Sequence, residues 1–119
     1  MQEKNLFEYA VIRVVPRVER EEFINVGVIL YCAKRKYLKC LFAVDEIRLT
    51  AFCASLDIPE ILSNINSIDL ICSGGKAGGP IGQLDMPSRF RWLTATRSTV
   101  LQASKVHPGF CHDPEAMLF

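Results

Sequence analysis

Three apolar runs, joined by connections too short to carry a crossover, dominate the first third of the chain. Phe7, Tyr9, Val11, Arg13 and Val15 alternate with Glu8, Ala10, Ile12 and Val14 until Pro16 closes the run. Such β-branched alternation predicts a strand. Phe23 to Tyr31 predicts a second strand and, after a polar turn from Ala33 to Lys36, Tyr37 to Val44 predicts a third. Parallel neighbours need a crossover of a dozen residues or more, so these runs must pair as an antiparallel meander. Ile12 and Val14 place apolar groups on the companion face of the first strand, while Arg13 and Glu8 mark its rims or a polar site. Gly27, inside an apolar run, predicts a bulge, a bend or close approach by another group. Asn25 beside it is expected to bond the backbone next to that bulge.

The period then changes. Ile47, Leu49, Phe52 and Leu56 fit a short helix over residues 45–55 with Asp45 as N-cap. Asp57-Ile58-Pro59-Glu60 is a second start signal, and Ile58, Ile61, Leu62, Ile65, Ile68 and Leu70 form an apolar stripe expected to lie across the sheet. Gly74 to Gly82 predicts a loop. The alternation from Arg89 to Thr94 predicts a strand with Trp92 in the core, and Thr99 to Ala103 another. The tail from Lys105 is expected to begin as turns, with Asp113 capping a short, Pro-started helix that carries Glu115, Met117 and Leu118. The expected architecture is α+β: one domain over residues 1–119, its small antiparallel sheet beginning with a three-stranded meander and covered by one or two helices.

Composition narrows the function classes. Half the residues are apolar and 23% are charged, too apolar for a disordered chain. The net charge of +1, from 14 basic and 13 acidic residues, gives no global field toward nucleic acid or anionic membranes. No apolar run approaches the roughly 20 residues needed to span a bilayer, and a cytoplasmic location is the expectation. The five cysteines, Cys32, Cys40, Cys53, Cys72 and Cys111, are odd in number and widely spaced. That pattern predicts mostly buried, reduced thiols rather than a disulfide framework or a zinc site. His107 and His112 match no metal motif either, and no cofactor is expected.

Two polar groupings are candidate sites. Gly79 and Gly82 with Arg89, Arg91 and Arg97 would make an anion pocket, because turns expose amides and guanidinium forks bind phosphate or carboxylate. Neither nucleotide-binding glycine fingerprint is present, and the competing expectation is a compact connection with locally paired arginines. Arg13, Asn25 and His107, joined by Arg91 and Arg97, would orient an acidic group, yet no attacking group or base accompanies them. Single-stranded RNA binding would rest on Phe90 or Trp92 among the arginines, and one such cluster in a near-neutral chain makes nucleic acid an unfavoured partner.

Tyr9-Ala10-Val11-Ile12-Arg13, Phe23 to Leu30, Gly79-Pro80-Ile81-Gly82 and Arg89 to Val100 together resemble the bacterial domain-of-unknown-function family numbered 3037. Val106 to Gly109 and Asp113 to Ala116 are similar to it as well. Members continue through a further turn of helix after Asp-Pro-Glu, so the resemblance implies a C-terminal helix cut short at Phe119. It also implies a role beside a kinase-like neighbouring protein. The leading expectation is a non-catalytic protein-interaction or accessory domain that regulates a neighbouring enzyme or associates with itself. The alternative is a phosphate- or nucleotide-recognising domain or enzyme with an arginine-lined site.

Overall fold

The computed structural model describes residues 4–16, 22–95 and 100–118. Its centre is a five-stranded antiparallel sheet in which β1 (Asn5–Val14), β2 (Ile24–Cys32) and β3 (Tyr37–Phe42) form the expected meander. The other edge of β1 is shared: β5 (His107–Cys111) pairs with residues 5–9 and β4 (Leu101–Ala103) with residues 12–14. Ser104 bridges the gap between them. Its hydroxyl accepts from Val11 N at 2.8 Å, and its own amide donates to Val11 O at 2.8 Å. A side chain thus supplies the ladder bond that neither short strand can reach.

The register of β1 on β2 slips by one residue, with Ile12 opposite Gly27 and Arg13 opposite Asn25, so Val26 is the bulged residue. This is the bulge that Gly27 predicted. It reverses the alternation, which is why Ile24 and Val26 before it and Ile29 and Tyr31 after it face the same core. A Cβ on Gly27 would lie 2.4 Å from the Phe42 ring and 2.9 Å from Leu41 O, so the position also meets the close approach expected of it. Asn25 itself is exposed.

Helices α1 (Glu46–Phe52) and α2 (Ile58–Ser73) start where the sequence indicates. Asp45 accepts from Arg48 N at 3.0 Å and Asp57 from Glu60 N at 3.1 Å. With α4 (Met86–Leu93) they cover one face of the sheet. Ile12, Val14, Ile29 and Tyr31 meet Leu49, Ile61, Ile71, Phe90 and Leu93 there, and the Tyr31 and Phe90 rings lie 5.0 Å apart. On the other face, α5 (Pro114–Leu118) closes a smaller cluster of Phe7, Leu30, Cys32, Cys111 and Leu118. Among the described residues no helix is long and apolar enough to cross a membrane.

Two expectations are corrected. Residues 89–94 form most of α4, not a strand: Asp85 accepts from Ser88 N at 2.9 Å, Pro87 occupies the first turn, and Arg89, Phe90 and Leu93 share the buried face. The tail begins not as turns but as β5, an edge strand, where the missing N–H of Pro108 costs least.

Candidate functional site

The glycine segment folds upon itself. After α2, a 3-10 turn (Lys76–Gly78) and the one-turn helix α3 (Gly79–Gly82) bring the chain back. Gly75 N donates to Gly82 O at 2.7 Å and Gly78 N to Gly75 O at 3.2 Å. These amides point at carbonyls of the segment itself.

Arg89 is buried beneath that turn. Its Nη1 donates to Ile71 O at 2.9 Å and to Cys72 O at 2.8 Å, and its Nε donates to Leu84 O at 3.1 Å. The guanidinium therefore satisfies carbonyls left over at the C-terminal end of α2, where a cation also complements the helix dipole. Arg91 is exposed on α4, and Arg97 lies outside the described residues. Of the proposed anion set, then, the structure brings Arg89 close to the glycine turn, with three of its donor contacts made to main-chain oxygens.

The second set is divided between two sides of the sheet. Arg13 and Asn25 are cross-strand partners on the face opposite α2 and α4, with the Arg13 guanidinium 4.0 Å over the Phe23 ring. His107 is on the same face but pairs with Tyr9, their rings 5.3 Å apart. Tyr9 and Arg13 stand four residues apart along β1, about 13 Å at the usual rise. Arg91 lies on the helical side.

A wider concavity than any at these residues lies elsewhere among the described residues. A groove of about 710 Å³ runs between α2, the loop before it, the start of β4 and Trp92. Ile61, Ile68 and Ile71 on α2 give it an apolar floor together with Leu56 and Leu101, while Trp92 and Val100 stand at its sides, 38% and 40% exposed. The expectation of a core Trp92 is thus corrected: α4 turns Phe90 and Leu93 inward and leaves the indole on the groove wall. Asp57, Glu60, Asn64 and Ser67 supply polar groups along the same helix. The only formal charges among the described lining residues are the carboxylates of Asp57 and Glu60. The sequence signal was the α2 stripe, whose 3–4 spacing marks an apolar face without telling whether a neighbour covers all of it.

A smaller hollow of about 460 Å³ on the other flank of α2 is lined by Cys40, Asp69, Cys72, Tyr37 and Arg89. Cys40 Sγ donates to Asp69 Oδ1 at 3.4 Å. The Cys72 thiol, burial and the Asp69 carboxylate all hold the Cys40 thiol well above its usual range. Burial, with the Glu115 carboxylate, pushes the Tyr37 phenol up to about 12. Burial likewise raises Tyr31 and Cys111. Each of these groups keeps its proton more tightly when folded. Their contribution is full below the unfolded values, about 8.5 for thiols and 10 for phenols, and is lost as pH rises through the folded ones. Urea unfolding is therefore expected to show stability falling by about 2 kcal/mol between roughly pH 8.5 and 11, a figure discounted for the partial exposure of Tyr37. Tyr37→Phe should flatten the upper part of that fall, and a rise over this range would contradict the assignment.

The fold and groove define an α+β domain in which α1, α2 and α4 cover one face of an antiparallel sheet, α5 closes part of the other, and an open, partly acidic cleft remains beside α2. Residues 9–119 match the family model described as protein of unknown function (DUF3037), and the chain belongs to that family. No curated protein and no solved structure matches it.

Proposed function

We propose that this is a non-catalytic protein-interaction domain, accessory to a partner whose segment it receives in the groove between α2 and Trp92. The observation that carries the reading is the groove's lining: an apolar floor and an indole wall with two carboxylates at one end. A cleft of this size takes several side chains, and aromatic walls are where binding energy concentrates. The charge pattern favours apolar residues flanked by Lys or Arg. An anionic ligand would meet Asp57 and Glu60 there and, at the glycine turn, an Arg89 already engaged with carbonyls. The alternative of phosphate recognition is accordingly the weaker reading.

Trp92 is the single tryptophan of the chain, so its emission reports on the groove directly. Peptides selected from a displayed random library on the immobilised chain should contain basic and apolar residues and should shift Trp92 emission saturably. Ile68→Glu, which places a charge on the apolar groove floor at a half-buried position, should weaken binding at least tenfold, about 1.4 kcal/mol or more. Selected peptides that bind Ile68→Glu undiminished, or acidic peptides as the winners, would sink the proposal.

A further inference from the structure

The thiols of Cys40 and Cys72 are the one cysteine pair that the fold holds together across two elements on a common hollow. Cys40 is on β3 opposite Ile29, so its side chain faces the helical layer, and it packs against the main core. Asp69 and Cys72, three residues apart, share one face of α2. Cys40 Sγ reaches Asp69 Oδ1 at 3.4 Å, one helical turn from Cys72, and the Cys72 thiol is close enough to raise the Cys40 pKa. Cys40 is half-buried and Cys72 buried, and both line the 460 Å³ hollow, which gives a small oxidant a way in.

The other thiols lack such a neighbour. Cys32 on β2 and Cys111 on β5 are separated by β1, two strand spacings or about 9.5 Å, beyond the roughly 7 Å a disulfide spans between Cα atoms. Cys53 lies on the groove, with its Sγ 3.2 Å from Ser55 Oγ.

We propose that Cys40 and Cys72 are a modification site: a peroxide oxidises them to a disulfide that ties β3 to α2. One thiolate attacks a peroxide oxygen, breaking the O–O bond to give a sulfenic acid and, for hydrogen peroxide, hydroxide, which takes up the proton released from that thiol. The second thiol displaces the sulfenic oxygen as water and loses its proton. Two S–H bonds and one O–O bond break, one S–S bond forms, and two electrons pass to the peroxide, leaving two waters. Because the thiolate is the reactive form and Cys40 holds its proton tightly, the reaction is slow near neutrality and faster at about pH 9. The site is independent of groove binding.

The test is hydrogen peroxide treatment of the full reduced chain at about pH 7 and pH 9, followed by intact mass and non-reducing peptide mapping. The expected result is the loss of two hydrogen atoms, a Cys40–Cys72 linked peptide, a higher thermal midpoint reversed by dithiothreitol, and faster formation at the higher pH. Cys53→Ser, which removes a thiol outside the hollow, should leave the link unchanged, whereas Cys40→Ser should abolish it. A link between any other pair, intermolecular dimers in its place, or oxygen addition to Cys40 without cross-linking would each overturn the assignment. Mapping of the unsubstituted chain decides this even if a serine variant fails to fold.

Discussion

The Arg89→Ala chain is expected to lose about 3–5 kcal/mol of unfolding free energy, the largest effect anticipated for a single polar residue here. Arg89 is only 8% exposed, and its donors serve Ile71 O, Cys72 O and Leu84 O, so truncation strips partners from three carbonyls at once. Each buried carbonyl left unpaired costs about 1–3 kcal/mol, and partial entry of water into the vacated space keeps the total below the sum. Lysine should recover less than half of the loss, because one ammonium cannot reproduce contacts from both Nε and Nη1 of a planar fork. Urea unfolding followed by circular dichroism measures both. A loss below about 1 kcal/mol for alanine would show that these hydrogen bonds do not hold the turn. The same experiment separates scaffold from ligand site: phosphate bound specifically by Arg89 would raise the midpoint by mass action in the parent chain and not in Arg89→Ala. The geometry predicts no such phosphate-specific difference.

That Arg89 meets carbonyls has a physical origin which its local sequence hides. An arginine beside a glycine-rich turn has the chemistry of an anion receptor, and nothing local reveals that its acceptors are main-chain oxygens 17 and 18 residues earlier. The caps of α1 and α2 were legible because Asp45 and Asp57 act on amides three residues ahead. The same Asp-x-Pro signal stands at Asp85-Met86-Pro87 and marks the start of α4, against the alternation of Arg89 to Thr94. Six residues are too few for period alone to separate strand from helix. β5 was hidden for a different reason. Pro108 and Gly109 read as a turn, but pairing with β1 overrides local preference, and the Phe7 ring covers Gly109 so closely that a Cβ there would lie 2.5 Å from it. The meander and the Gly27 bulge could be read because strand alternation and short connections are local properties. The groove could not, since its walls come from four separate parts of the chain.

Gly82→Ala sets two opposing effects against each other, and their magnitudes decide the sign. Gly82 closes α3, and alanine in a helix ordinarily gains about 1 kcal/mol over glycine. A Cβ at Gly82, however, would sit 2.6 Å from Gly75 O, a main-chain atom of the neighbouring turn that cannot rotate aside. Relieving that overlap means separating the two backbones, which also breaks the 2.7 Å bond from Gly75 N to Gly82 O. Overpacking costs about 1–3 kcal/mol and loss of the bond, whose Gly75 end is exposed, about 0.5–1.5 more, so after the helix gain a net destabilisation of about 0.5–3.5 kcal/mol is expected. Gly79 provides the control within the same segment. Nothing lies within 4 Å of its Cβ position, but its φ of +69° and ψ of −159° fall in a region that essentially only glycine adopts, so alanine there meets backbone strain of about 1–3 kcal/mol without a clash. Thermal unfolding should therefore lower the midpoint of both variants, Gly79→Ala through its backbone alone and Gly82→Ala through the clash with Gly75 O. An unchanged or raised midpoint for Gly82→Ala would mean that the turn does not pack on itself and that its amides are free to meet a ligand.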